Sequence, residues 1–287
     1  MFRLFLQAFK TTNEGIILAI PLTLFWWVVT LYLNFSVNVV DTYPEMILSG
    51  FTMLFMTSAF FAGWFYMVRK CVKFSKKHFI FDKDKNSEAF RLIKAMPKGI
   101  GKYFLFYIEA CVIVIGLVLL AGFLVSTLSF PVLKEINTIL SQMGVNLTTS
   151  FDVKEFINSL TQEQTYILLT PVLKLTFIIA AIPTIFSFLL LLWMPEIIYT
   201  VKNPIIALFT SIAKVFKKFW KSLQLYIYIT IVQLLISALG PFMFIHPVLY
   251  FLIVVLYFYF IVYIVVLIFS YYENEFRNKP KTPEQKA

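Results

Sequence analysis

Apolar residues gather into six long runs along this chain, separated by charged or polar stretches except between the fifth and sixth, where a tight turn around His246 intervenes. The runs lie near residues 15–35, 46–68, 104–128, 172–200, 223–243 and 247–271. About 20 apolar residues suffice for a helix to cross a bilayer, so each run predicts a membrane-spanning helix. The fourth run carries Pro171, Pro183 and Pro195. A kink, or an extension beyond the bilayer, is expected there, because neighbouring groups re-satisfy the backbone bonds a proline removes.

Three of the stretches before a run have a different period. In "KNPIIALFTSIAKVFKKFWKSLQLYIYI" the residues Ala207, Leu208, Ser211, Ile212, Val215, Phe216 and Phe219 recur at helical spacing, and Lys214, Lys217, Lys218 and Lys221 fall between them. This is the pattern of a helix lying in the membrane interface. Comparable grammar precedes the third run in "SEAFRLIKAMPKGIGKYFLFYI" and the first in "FRLFLQAFKTTNEGIILAI". The chain therefore reads as three repeats of an interfacial helix plus a transmembrane hairpin, over 1–68, 86–200 and 202–271. Between the third and fourth runs, Leu133, Ile136, Leu140 and Met143 and then Val153, Phe156, Ile157 and Leu160 predict two short amphipathic helices on the outer face, with Ser150 or Asp152 capping the second. Asn146-Leu147-Thr148 matches a glycosylation sequon, of consequence only in a eukaryotic secretory route.

Composition agrees with a bilayer environment. Of 287 residues, 60% are hydrophobic and 14% charged, an excess of apolar side chains that a soluble core does not hold. The net charge of +10 would suggest nucleic acid in a soluble protein. Here it reads as topology. Segment 1–14 holds two Lys or Arg, 69–103 eleven, 201–222 five and 272–287 four, so 22 of the 25 lie on one side of the membrane. The opposite loops hold Lys134 and Lys154, with Lys174 at the edge of the fourth run, and the acids Asp41, Glu45, Glu135, Asp152, Glu155 and Glu163. The positive-inside rule then makes both termini cytoplasmic, including the tail 272–287. The basic residues alternate with lipid-bound hydrophobes, which argues against a nucleic-acid partner. No secretory signal is expected at the N-terminus, since the first apolar run is too long for one and no A-x-A site closes it. Cys71 and Cys111 form no CxxC or Cys/His motif and are expected to be free thiols.

The segment "LLWMPEIIYTVKNPIIALFTSIAKVFKKFWKSLQLYIYI" ends a span in a small acidic turn at Glu196, continues into a helix with Ala207 and Ser211, and enters the next span through "KKFWKSL". The closing stretch contributes Tyr271, Tyr272 and Glu273. Over 193–277 this resembles the integral membrane domain that precedes the catalytic domain in some glycerophosphodiester phosphodiesterases and also occurs alone in multi-pass proteins. The catalytic domain is absent from this chain. The resemblance implies a fold and lipid-related surroundings, and it carries over no catalytic residue.

Candidate chemistry is sparse. Glu109 lies about two turns inside the nominal third span, where an intramembrane acid is a functional suspect; the cheaper reading starts the span at Tyr107 and leaves Glu109 at the interface. Lys174 is expected to snorkel to the outer headgroups. Glu196, beside Pro195, is expected at the interface, paired with a nearby lysine. His246 reads as a polar turn residue and His78 as part of a solvated basic face. No GxSxG, HExxH, Walker or GxGxxG pattern is present, and no cofactor or metal is implied. The expected fold class is an all-α polytopic transmembrane bundle, forming one integral membrane domain. The expected function is non-enzymatic. Lys94, Lys98, Lys102, Lys214, Lys217, Lys218 and Lys221 would engage anionic lipid headgroups in a bacterial cytoplasmic membrane, in a lipid-handling or envelope-organising role. The alternative is a small-solute transporter or channel, which would use Glu109, Lys174 or Glu196. Oligomerisation is compatible with either.

Overall fold

A computed structural model describes residues 1–75, 82–143, 160–200 and 203–277. Among them the chain is helical, with no strand, and six helices are long and apolar enough to cross a membrane. Helix α1 (Phe2–Glu14) passes through a 3-10 turn (Ile16–Leu18) into α2 (Ala19–Val39). Then come α3 (Tyr43–Phe74), α4 (Asp82–Gln142), α5 (Gln162–Leu189), α6 (Trp193–Thr200), α7 (Pro204–Lys217) and α8 (Phe219–Ser237). A 3-10 turn (Gly240–Phe244) leads into α9 (Pro247–Tyr272), which ends in a π turn (Glu273–Arg277). His78, the sequon at Asn146, the second outer helix with Ser150 and Asp152, Lys202, and the tail beyond Arg277 lie outside the described residues.

Local sequence explains where the helices start. Thr42 and Glu45 form a reciprocal capping box ahead of α3, with Pro44 in its first turn. Thr161 and Gln164 exchange the same pair of bonds ahead of α5 (2.9 and 3.3 Å). Asn203 accepts from the Ile205 amide at 2.9 Å to cap α7. His246, expected to be a turn residue, caps α9 by accepting the Val248 amide on Nδ1.

Two expectations about helix breaks need correcting. The interfacial helix before the third span and the first outer amphipathic helix are not separate elements. Both belong to α4, which is continuous over 61 residues. The helix passes through Pro97, Gly99 and Gly101 without a break. Gly99 is held in place by packing: a Cβ there would meet Tyr66 Cβ at 2.7 Å, and Ala62 O and Gly63 Cα at 3.0 Å. At Gly63 and Gly99 the backbones of α3 and α4 touch, which is the use small residues serve in membrane helix packing. The first and third proposed repeats do have a break between amphipathic helix and span, at Gly15–Leu18 and at Lys218; the second does not. The expected interruption of the fourth span falls at residues 190–192, between α5 and α6, just ahead of Pro195. Pro171 and Pro183 lie inside α5 without ending it.

The chain forms two compact units. One comprises Ile113–Phe188, a helical hairpin from the second half of α4 and most of α5, joined by an ion pair between Lys174 and Glu135 at 3.7 Å. Its large apolar side chains, among them Val118, Phe123, Phe130, Leu173 and Phe177, are exposed, as lipid-facing surfaces are. The other comprises Met1–Val112 and Leu189–Ala287 and holds most of the core. Two indoles close its helix breaks: Trp64 Nε1 donates to the Leu18 carbonyl and Trp193 Nε1 to the Pro204 carbonyl, each at 2.9 Å. Helix α1 lies on α9, burying Ala8, Thr11 and Thr12. Phe5 stacks on Tyr228 at 3.9 Å, and Asn13 accepts from the Tyr259 hydroxyl at 2.6 Å.

Candidate functional site

Among the described residues of the larger unit, a polar cluster forms around the short helix α6. Trp193, Pro195, Glu196, Ile197, Ile198 and Tyr199 are all buried there. The helix is packed against α3, α7 and α9. This is the end at which α3 and α9 turn from apolar to charged sequence, in "YMVRKCVKF" and "SYYENEFR". Two linked sets of side chains meet on α6.

The first set centres on Glu196. Glu196 is 1% exposed. Its Oε2 accepts from Lys214 Nζ and from the Tyr272 hydroxyl, each at 2.5 Å. Lys214 also donates to the Tyr272 hydroxyl at 2.7 Å, and its ammonium lies 4.7 Å from the Tyr272 ring centre. A buried carboxylate is tolerable only when paired and hydrogen-bonded, and here both conditions are met. Nearby, the Ser222 and Tyr271 hydroxyls are 3.1 Å apart and buried, and Ala207, Ser211 and Val215 of α7 are fully covered. Glu196, Ala207, Ser211, Tyr271 and Tyr272 were singled out from the sequence; in space they surround one junction.

The second set is cationic. Arg69 Nη1 donates to the Ile198 carbonyl at 2.6 Å and to the Tyr103 hydroxyl at 2.9 Å. The Tyr103 hydroxyl donates to the same carbonyl at 2.9 Å. The guanidinium carbon of Arg69 is 5.0 Å from the Tyr199 ring centre, and that of Arg277 is 4.9 Å from it. Tyr199 donates to Glu273 Oε2 at 2.8 Å and stacks on Tyr272 at 5.2 Å, which joins the two sets. Sequence reasoning did not single out Arg69, Tyr103, Tyr199 or Arg277 as site residues. The one local signal was an arginine directly ending an apolar span.

The lysines expected to meet lipid divide into two groups. Lys94, Lys98, Lys102 and Lys217 are exposed. Lys214 is spent on Glu196, while Lys221 and Lys218 pair with Glu275 at 2.6 and 3.6 Å. Helix α7 divides its apolar residues as well: Ala207 and Val215 face protein, whereas Ile205, Ile206, Phe209 and Phe216 remain exposed. Glu109 is exposed on α4 and takes no part in either polar set. Lys174 is exposed in the hairpin, beside Glu135. A lateral groove of about 600 Å³ lies between α2 and α9, lined by Trp26, Trp27, Tyr250 and Phe258 with Thr23 and Thr30.

No protein-family model, curated protein or solved structure matches this chain, so the reading of the site rests on its own geometry.

Proposed function

We propose that this protein is a non-enzymatic, multi-pass protein of a bacterial cytoplasmic membrane that engages anionic lipid at its cytoplasmic face, in a lipid-handling or envelope-organising role. The observation that carries the reading is the exposed set Lys94, Lys98 and Lys102, in the first part of α4, with Lys217 at the end of α7. Each basic residue near an anionic leaflet contributes about 1 kcal/mol of attraction. The resemblance to the membrane domain of glycerophosphodiester phosphodiesterases belongs to the same proposal, and it brings no activity with it.

The test is substitution rather than deletion. Removing α7 would strip Lys214 from buried Glu196 and disturb the fold along with the charge. The full chain carrying Lys94, Lys98, Lys102 and Lys217 all changed to Gln should co-purify with a smaller share of anionic phospholipid than wild type. Equal lipid profiles for the two would end this reading.

The transporter or channel reading draws on the interruption at 190–192 beside buried Glu196. It requires water to reach that carboxylate. Single cysteines along α5 and α6 that react with a water-soluble maleimide would favour it, and uniform protection would count against it.

A further inference from the structure

We propose that Arg69, Lys73 and Arg277 form a discrete site for one phosphate group, supplied by the headgroup of an anionic phospholipid. The inference rests on the lipid-engaging reading and gives it a defined location.

Lys214 has a carboxylate partner in Glu196, and Lys218 and Lys221 share Glu275. Arg69 is different. The acceptors that hold it, the Ile198 carbonyl and the Tyr103 hydroxyl, are neutral. They fix the orientation of the guanidinium and leave its charge in place. The Tyr199 ring then draws a second guanidinium, that of Arg277, to the same distance through cation–π attraction. Lys73 follows Arg69 by four residues on α3, one helical turn on and on the same face. A like-charge cluster at the edge of a low-dielectric slab is costly until a further anion joins it.

The shape and depth of the cluster favour phosphate. Guanidinium presents a planar fork that matches two phosphate oxygens, and lysine adds a point charge. Arg277 is exposed and Arg69 and Lys73 are half-buried, so each is open to an incoming group. They lie where α3 and α9 leave apolar sequence, the depth at which lipid phosphates sit while acyl chains continue along the helices.

The experiment uses the purified full chain in a nonionic detergent, titrated with short-chain phosphatidylglycerol and followed by native mass spectrometry. One saturable equivalent is expected for wild type. K73Q/R277Q should weaken it about tenfold or more, whereas the variant with Lys94, Lys98, Lys102 and Lys217 changed to Gln should retain it. R277Q alone, altering an exposed residue, gives the same direction if the double variant fails to fold. Undiminished binding by folded R277Q and K73Q/R277Q would overturn the site. If the four-lysine variant loses the equivalent instead, the surface-lysine reading survives and the discrete site does not. If wild type shows no preference for phosphatidylglycerol over phosphatidylcholine, both fall. Inorganic phosphate or glycerol phosphate should fail to displace the lipid at comparable concentration; displacement would overturn the lipid as the ligand.

Discussion

Glu196 brings a carboxylate into a position where almost none of it meets solvent, and it is satisfied by Lys214 and Tyr272 together. Removing one partner of a buried pair leaves the other unpaired, at a cost of about 3–5 kcal/mol when both are fully covered. Lys214 keeps 27% of its side chain exposed, so the cost here should fall below that range. E196A is expected to lower the apparent melting temperature in detergent by several degrees. E196A/K214M should recover a good part of the loss, because no charge is then stranded. Y272F should cost less than E196A, since it removes a hydroxyl and leaves the ion pair. A double-mutant cycle in which the effects of E196A and K214M simply add would show that the pair is not coupled. Glu196 was legible in the sequence as a paired acid at a span end. Its burial was not, because the residues that cover it come from α3, α7 and α9, far apart in the chain.

At the scale of elements, the contact of α3 with α4 makes a sharp distinction between two neighbouring glycines. Gly99 has backbone and Tyr66 against it, whereas a Cβ at Gly101 would meet nothing within 4 Å. Alanine is the better helix former by about 1 kcal/mol. G101A should therefore leave thermal stability unchanged or raise it slightly. G99A must push α3 and α4 apart and should lower it, and G99V more so. Equal behaviour of G99A and G101A in a melting series would remove the close crossing from this account. The same pair shows why sequence reading failed here. Pro97, Gly99 and Gly101 within five residues look like a loop, since local propensity is all a single sequence offers, and packing against Gly63 overrides that propensity. The six spans were legible for the opposite reason: apolar length is a property of the run itself and needs no partner. Asn203 lies between these cases, as a local cap that sequence can supply. N203A should destabilise α7 by about 1 kcal/mol, read as a small fall in melting temperature beside an unchanged N203D. An N203A protein melting with wild type would mean that α7 is held by its buried stripe alone.

At the scale of the whole molecule, the remaining question is which side of the membrane each end of each helix faces. Six helices are long and apolar enough to cross, and the charge pattern predicts the direction. Lys94, Lys98, Lys102 and Lys217 are exposed, and the positive-inside rule expects them on the cytoplasmic side, with Glu135 and Glu163 on the opposite one. Moving a cluster of lysines across a bilayer against the positive-inside bias is unfavourable at every loop in turn, so the charge pattern constrains all the crossings together. Single cysteines at Lys98, Lys217 and Glu135, in a chain whose Cys71 and Cys111 are replaced by serine or alanine, give a direct test. In intact cells a membrane-impermeant maleimide should label E135C and leave K98C and K217C unreacted until the cells are opened. Labelling of K98C together with E135C in intact cells would invert or break the topology. The lysine set would then face away from the anionic cytoplasmic leaflet, and the surface part of the functional proposal would lose its electrostatic basis. The protected pattern instead puts Arg69, Lys73 and Arg277, on helix ends of the same polarity, at the leaflet where anionic headgroups are available to them.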